Sequence, residues 1–207
     1  MKKLTLYRHP LSGHSHRVEL FLSLLGLKAD VVDVDLAAGE HQQDAFLARN
    51  IFGQVPVIEA DGRFIADSNA ILVYLAKEYD SEHRWLPEST NAAADVQRFL
   101  SVAAGQLAFG PAAARLVNVF GAALDHDNAK IASRDLFAVL DRHLEDRDWL
   151  AAEHATIADV ANYAYIAHAP EGGVGLDDYP NIRAWLSRIE ALPGFIPMQP
   201  TAAGLAA

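Results

Sequence analysis

The sequence predicts an α/β domain followed by an all-helical one. Two observations carry this. Strand and helix patterns alternate over residues 3–79 in the order β-α-β-α-β-β-α. From Asn91 onward no strand pattern occurs, and alanine-rich segments with a helical period cover 91–109, 112–120, 128–144, 157–167 and 182–192. The predicted division is 1–80 for the first domain, 81–90 for a linker and 91–207 for the second domain.

Each element has a local reason. Leu4-Thr5-Leu6-Tyr7 alternates as a strand does. Arg8 to His14 is a loop punctuated by Pro10 and Gly13. A strongly apolar helix is predicted over 15–25 and should be well buried, with Gly26 in the position of a C′ glycine. Val31 to Asp35 reads as the second strand, so strand, helix and strand make a right-handed parallel crossover. Gly39 breaks the chain, and 42–48 reads as a short helix.

The stretch Asn50 to Glu59 organises the chain. Proline cannot donate to a central ladder, so Pro56 in Val55-Pro56-Val57-Ile58 fits as the first residue of a strand. Locally, both a trans and a cis Val55–Pro56 bond are compatible with the sequence. Asp61-Gly62 is a two-residue hairpin turn requiring positive φ at both positions. Phe64-Ile65-Ala66 returns as a strand, and Asp67-Ser68-Asn69 caps a helix predicted over 70–79. Residues 80–90 are polar, with Trp85-Leu86 expected to pin the linker to the surface. Gly110-Pro111 is expected to break or kink the first long helix of the second domain. Thr156-Ile157-Ala158-Asp159 is a capping-box start. Gly172-Gly173-Val174-Gly175 has no strand before it and reads as a flexible turn, not a phosphate loop.

Composition excludes several function classes. A net charge of −10 argues against a nucleic-acid partner, which needs a basic face. There is no cysteine, so disulfides, thiolate metal sites and thiol redox chemistry by the chain itself are excluded. No apolar run approaches the roughly 18 residues of a membrane span, and Met1-Lys2-Lys3 leads straight into a strand pattern. A cytoplasmic protein with no membrane partner is expected. His9, His14 and His16 lack the spacing of a common zinc motif and have no acidic residue between them, so no metal is expected there. His16 is expected to be a solvated or helix-face residue.

The succession of Val55-Pro56, strand, Asp61-Gly62 turn, strand and Asp67-Ser68-capped helix resembles the glutathione-binding domain of the glutathione S-transferase family, which has a thioredoxin-like fold. Thr156-Ile157-Ala158-Asp159 is similar to the start of a buried helix in that family's all-α second domain. The resemblance is specific over 53–75, fair over 4–25 and 156–163, and points to the bacterial, serine-type, theta- or beta-like cytosolic members. It departs at Ala151 to Ala155, where the family commonly has a Gly-Asp pair. The resemblance implies a cis Pro56, Val55 paired with the cysteinyl backbone of glutathione, and Asp67 with Ser68 at the γ-glutamyl end. Gln54 would reach the same end. His41 stands where several classes use a basic residue for the glycyl carboxylate, and a solvated histidine fits equally. Arg8 would serve that carboxylate or form a structural salt bridge.

The resemblance further implies a homodimeric glutathione transferase that takes glutathione as cosubstrate, needs no metal and conjugates small hydrophobic electrophiles. Alternatives are a glutathione-dependent disulfide reductase, peroxidase or isomerase on the same scaffold, or a non-catalytic interaction module. Ser12 stands where thioredoxin-like redox proteins carry a thiol, and in serine-type members such a hydroxyl donates to the glutathione sulfur. The magnitudes suffice. Lowering a free thiol from a pKa of about 8.5 by about two takes roughly 2.7 kcal/mol. A hydrogen bond to a charged acceptor contributes roughly 1.5–3 kcal/mol, and a helix N-terminus about 0.3–1 kcal/mol. His14 and Ser15 are the alternatives to Ser12, and a histidine at position 14 would titrate near neutrality. The electrophile pocket is expected between the first loop and the first long helix of the second domain, with Leu11, Leu107, Phe109, Arg115 and Leu116 as candidates. Arg115, among alanines and leucines, needs a partner, either a substrate anion or an acidic neighbour.

Overall fold

The computed structural model describes residues 3–202. Met1, Lys2 and residues 203–207, which include the outer ends of both expected domains, lie outside the described residues. Strand β1 (Leu4–Arg8) runs parallel to β2 (Asp30–Asp33) and antiparallel to β3 (Val57–Ala60), and β3 pairs antiparallel with β4 (Arg63–Ile65). The strand order is β2-β1-β3-β4. In this register Leu6 lies between Val31 and Ile58. Leu4, Leu6 and Ile58 alternate onto the face that packs against helices α1 (Gly13–Leu24) and α3 (Ser68–Tyr79), which contribute Val18, Phe21, Ile71, Leu72 and Leu75. Val31 and Val32 stay exposed because β2 is an edge strand.

The turns form as the sequence predicts. Asp61 and Gly62 both have positive φ, as a two-residue hairpin requires. Gly26 adopts the left-handed conformation just past α1. The helix expected over 42–48 is shorter: Glu40–Gln42 forms a 3-10 turn and α2 covers Asp44–Leu47.

The helical half comprises α4 (Thr90–Ala104), α5 (Ala113–Phe120), α6 (His126–His143), α7 (Ile157–Ala167) and α8 (Pro180–Glu190). Helix α7 is buried on nearly every side because it packs against α4 on one flank and α1 on the other. Its capping box forms as expected, and Asp159 also accepts from the Leu150 N–H and the Trp185 indole. The interruption expected at Gly110-Pro111 is present: α4 ends at Ala104, and a π-helical turn at Ala108–Ala112, which contains Pro111, leads into α5. Two expectations are corrected here. The segment at Gly172 is not a loose turn, because a Cβ there would sit 2.8 Å from the Arg115 main-chain nitrogen, so glycine lets it lie flat on α5. The helical stretch Thr90–Phe120 is apolar and long enough by composition to cross a membrane, whereas no such run was expected; half of its most apolar window is buried within the fold, as in a core helix.

Candidate active site

Two helix N-termini lie at the end of the sheet where β1 and β4 finish. At the first, Ser12 caps α1: its backbone is extended and its Oγ accepts from the Ser15 N–H at 3.2 Å. At the second, Asp67 caps α3, with Oδ1 accepting from the Asn69 and Ala70 N–H groups at 2.9 and 3.1 Å. Asp67 is exposed. Ser68, directly after the cap, is buried.

Arg17 ties the two ends together. It lies on α1, one turn beyond Ser12, and is 1% exposed. Its Nη1 donates to Ser68 Oγ at 2.7 Å and to Asn69 Oδ1 at 2.8 Å. Burial lowers its pKa to about 10, so it stays charged at neutral pH. Its Nε and Nη2 are buried and unpaired among the described residues. His14 Nδ1 stands 3.5 Å from Ser68 Oγ, and its ring meets Tyr165 edge-on at 4.9 Å. Ser12, His14, Asp67 and Ser68 therefore share one site.

The expectation that His14 titrates near neutrality is overturned. Burial, reinforced by the Arg17 charge, lowers its pKa to about 3. Ser15 is fully buried and its Oγ accepts from the His9 N–H, so it is a structural partner of the loop and not an open hydroxyl. His16 is also buried, which excludes the solvated alternative, with Nε2 against the Ile196 carbonyl at 2.9 Å. Each of the three histidines thus serves a separate contact, His9 lying edge-on to Phe120 at 6.0 Å.

The Val55–Pro56 bond is cis, and Pro56 immediately precedes β3. Asn50 shapes the approach, donating to the Gln54 carbonyl and accepting from the Phe52 N–H. Gly53 has φ +60, and a Cβ there would lie 2.9 Å from the His41 carbonyl. This close contact sets the His41 turn beside the Gln54-Val55 segment. His41 is half-buried, with its Nδ1 unpaired among the described residues, and Gln54 is exposed. Arg8 takes its structural alternative, bonding Glu19 at 2.6 Å and Asp33 at 2.9 Å.

The electrophile-pocket candidates divide. Leu107 is fully buried core. Phe109 is 76% exposed but lines the cleft between α4 and α6 with Val102, Leu136 and Val139, so nothing places it with Leu11. Arg115 is 1% exposed and its partner is the acidic neighbour: Nε bonds Glu171 at 2.6 Å and Nη1 donates to the Leu11 carbonyl at 2.8 Å. The apolar surface beside the Ser12 loop comes instead from Phe120, 45% exposed, with Leu116 one turn before it on α5. Sequence reasoning missed Arg17, Tyr165, His9 and Phe120. A charged residue inside a helix expected to be buried was the available signal for Arg17. Tyr165 and Phe120 carried no signal beyond a helical period.

The family model described as "Glutathione S-transferase, N-terminal domain" matches residues 2–77, and that described as "Glutathione S-transferase, C-terminal domain" matches residues 102–193. The chain is 35% identical to glutathione S-transferase 3 of Zea mays, over 94% of this chain and 92% of that protein. It is 29% identical to glutathione S-transferase theta-1 of Mus musculus, over 92% of this chain and 84% of that protein. Among solved structures, a glutathione S-transferase from Pseudomonas fluorescens superposes with a TM-score of 0.89 at 30% identity, covering 95% of this chain and 99% of that one. The fold is accordingly a thioredoxin-like domain joined to an all-α domain. The chain belongs to the glutathione S-transferase family and is a glutathione transferase.

Proposed function

We propose that this transferase binds glutathione across the N-termini of α1 and α3, stabilises its thiolate with the Ser12 hydroxyl, and conjugates it to small hydrophobic electrophiles. The observation that carries this is the convergence of the Ser12 and Asp67 caps, joined through Arg17, Ser68 and His14. Asp67 accepts from the γ-glutamyl ammonium. Ser68 and the N–H groups of α3 receive the γ-glutamyl carboxylate, with the Arg17 charge directly beneath. Val55 pairs its backbone with the cysteinyl residue, Gln54 reaches the γ-glutamyl end, and His41 takes the glycyl carboxylate.

His14 is too weak a base to take the thiol proton at neutral pH, since its conjugate acid has a pKa of about 3. The thiol therefore loses its proton to solvent, and the site acts by stabilising the anion through Ser12 and the α1 N-terminus. The thiolate then forms the carbon–sulfur bond to an electrophile held against Leu11, Leu116 and Phe120, either expelling a leaving group that departs with its bonding electron pair or adding to an activated double bond whose displaced pair takes a proton from solvent. We place the interdomain linker at 81–90 and the enzyme in the cytoplasm. We assign it a homodimeric state, with exposed Ile51 and Phe52 beside the hairpin available for a second copy.

The test is a pH titration of the thiolate ultraviolet absorbance of bound glutathione, on wild type and Ser12→Ala. The expected result is a pKa well below that of free glutathione, raised in the variant with little change in affinity. Saturable binding with no lowering of the thiol pKa sinks the proposed activation.

A further inference from the structure

Arg17 is a charged group buried without a counter-ion. It is 1% exposed, and no carboxylate of the described residues stands within ion-pair distance of its guanidinium. Asp67 is near enough for its charge to be felt, but its Oδ1 is taken up by the Asn69 and Ala70 N–H groups. Nη1 carries two N–H groups and meets two acceptors, Ser68 Oγ at 2.7 Å and Asn69 Oδ1 at 2.8 Å. Nε and Nη2 are buried and find no acceptor among the described residues. A charge taken out of water with neither a counter-ion nor full hydrogen bonding is destabilising, and an apolar side chain of similar volume would sit there at lower cost.

The guanidinium fixes the direction of its hydrogen bonds, because it has donors and no acceptor. Ser68 Oγ therefore accepts from Arg17 and keeps one lone pair and its own proton. His14 Nδ1, the other side-chain atom recorded at Ser68 Oγ, stands at 3.5 Å, too far to hold that proton firmly. The same guanidinium orients the Asn69 amide: Oδ1 faces Arg17, and Nδ2 donates to the Leu100 carbonyl of α4 at 3.1 Å. Arg17 is thus fixed between α1, α3 and, through Asn69, the helical domain. Ser68 is the first residue of α3, where the unpaired N–H groups of the helix favour an anion. A hydroxyl proton, helix N–H groups and a buried positive charge behind them suit a carboxylate better than a neutral amide.

We propose that Arg17 is a positioning residue that makes the γ-glutamyl subsite select a carboxylate: its bond to Ser68 Oγ leaves that hydroxyl only a proton to offer the ligand, and its charge stands behind that proton. This rests on the assignment of Ser68 and the α3 N-terminus to the γ-glutamyl carboxylate. The bound carboxylate supplies the counter-ion that the fold withholds, so the charge is compensated only in the complex. A hydroxyl that accepts from a cation is polarised and donates more strongly, and the carboxylate gains from both effects. A ligand with a carboxamide in the same place accepts from Ser68 but brings no charge, and leaves Arg17 uncompensated.

The experiment compares glutathione with its analogue carrying a primary carboxamide in place of the γ-glutamyl α-carboxylate, by calorimetric titration. Wild type is expected to bind glutathione roughly 100-fold more tightly than the analogue. Arg17→Met should bring this preference below about 10-fold, by weakening glutathione and leaving the analogue nearly as before. Both ligands are read on one protein, so a partly unfolded variant lowers both apparent affinities alike and the ratio still reports the charge. Ser68→Ala should lower the preference by itself, and combined with Arg17→Met should lose less than the sum of the two. A second reading needs no substitution: the Arg17 Nε–H proton resonance of wild type should move on saturation with glutathione and keep its free position with the analogue. An undiminished preference in Arg17→Met overturns the inference, as do strictly additive losses in the cycle or equal displacement of the resonance by the two ligands. Failure of the underlying assignment is distinct, since wild type would then bind the two ligands equally well, and both readings would fall together.

Discussion

The guanidinium of Arg115 donates to the main-chain carbonyl of Leu11 over 2.8 Å, so the residue immediately before Ser12 is held by the helical domain. The same guanidinium bonds Glu171 at 2.6 Å, and Glu171 also accepts from the Thr201 N–H and meets the His168 ring. Burial alone would raise the Glu171 pKa, but hydrogen bonds from His168, Thr201 and Arg115 outweigh it and hold the carboxyl below its ordinary range. Arg115→Met removes one partner of a buried pair and strands the other. The expected loss is about 3–5 kcal/mol of stability, measured by urea unfolding. Arg115→Met combined with Glu171→Leu should recover much of that loss. A single variant as stable as wild type would mean that the pair is not buried as described.

Asp67 has two tasks that different substitutions separate. Asn caps a helix about as well as Asp, so Asp67→Asn keeps the contacts to Asn69 and Ala70 while removing the charge. Glutathione affinity should fall by roughly 10- to 100-fold, the loss of one charge-assisted bond, with stability nearly unchanged. Asp67→Ala should show the same affinity loss together with about 1 kcal/mol of destabilisation. Calorimetric titration with glutathione reads the first effect and urea unfolding the second. Wild-type affinity in Asp67→Asn would remove Asp67 from the γ-glutamyl end.

These two residues also show how much was legible in the sequence. The role of Asp67 as a cap follows from short-range rules, because an Asp before a helical period has few other uses. The Asp61-Gly62 hairpin and the Thr156 capping box were legible for the same reason: turn and cap chemistry is written within four residues. The partner of Arg115 was not, since Glu171 and the Leu11 carbonyl are brought to it by tertiary packing across 56 and 104 residues of chain. Pro111 differs again. A proline in a helical run suggests a break or a kink, but not its form, which here is a π-turn between α4 and α5. His14 and His16 escape a sequence reading because solution pKa values are the default for histidine, and burial is a property of the assembled fold.

That burial has a pH consequence. His14 and His16 have pKa values lowered to about 3 and about 4, both chiefly by desolvation. Both are neutral in the folded protein, whereas in the unfolded chain they protonate near pH 6.5. Below about pH 6.5 the unfolded chain binds protons that the folded one refuses, so stability falls as pH falls. Each histidine contributes a slope of about 1.4 kcal/mol per pH unit, continuing towards pH 4 for His16 and pH 3 for His14. Asp159 and Glu19, raised by burial, act in the opposite sense, so the test is a difference between proteins. His16→Gln retains a donor for the Ile196 carbonyl and should lose stability less steeply than wild type between pH 6.5 and 4.5. Parallel urea-unfolding curves for the two proteins would refute the neutral buried His16.

Gly53, in the turn before Pro56, should be intolerant of a side chain for two reasons that add. Its φ of +60 is unfavourable for an L residue, and a Cβ would meet the His41 carbonyl at 2.9 Å, a main-chain atom that cannot rotate away. Gly53→Ala should cost about 1–3 kcal/mol and displace the His41 turn from the Val55 segment. Glutathione affinity should then drop along with stability. Gly62→Ala is the control, since its φ of +79 carries comparable strain but a Cβ there meets nothing within 4 Å. Equal losses of affinity in the two variants would show that backbone strain alone, and not the His41 contact, shapes the site.

The electrophile pocket can be located by opposing two phenylalanines. Phe120 lies edge-on to His9 and within 5.9 Å of the Arg115 guanidinium, beside the loop that carries Ser12. Phe109 is more exposed but faces the cleft between α4 and α6. Truncating a ring that contacts an apolar substrate forfeits about 1–3 kcal/mol of binding, or roughly 5- to 150-fold. Phe120→Ala should therefore raise the KM for hydrophobic electrophiles with the KM for glutathione unchanged. Phe109→Ala should leave both untouched. Steady-state kinetics with the electrophile varied at saturating glutathione reads the difference, and the reverse pattern would move the pocket to the α4–α6 cleft.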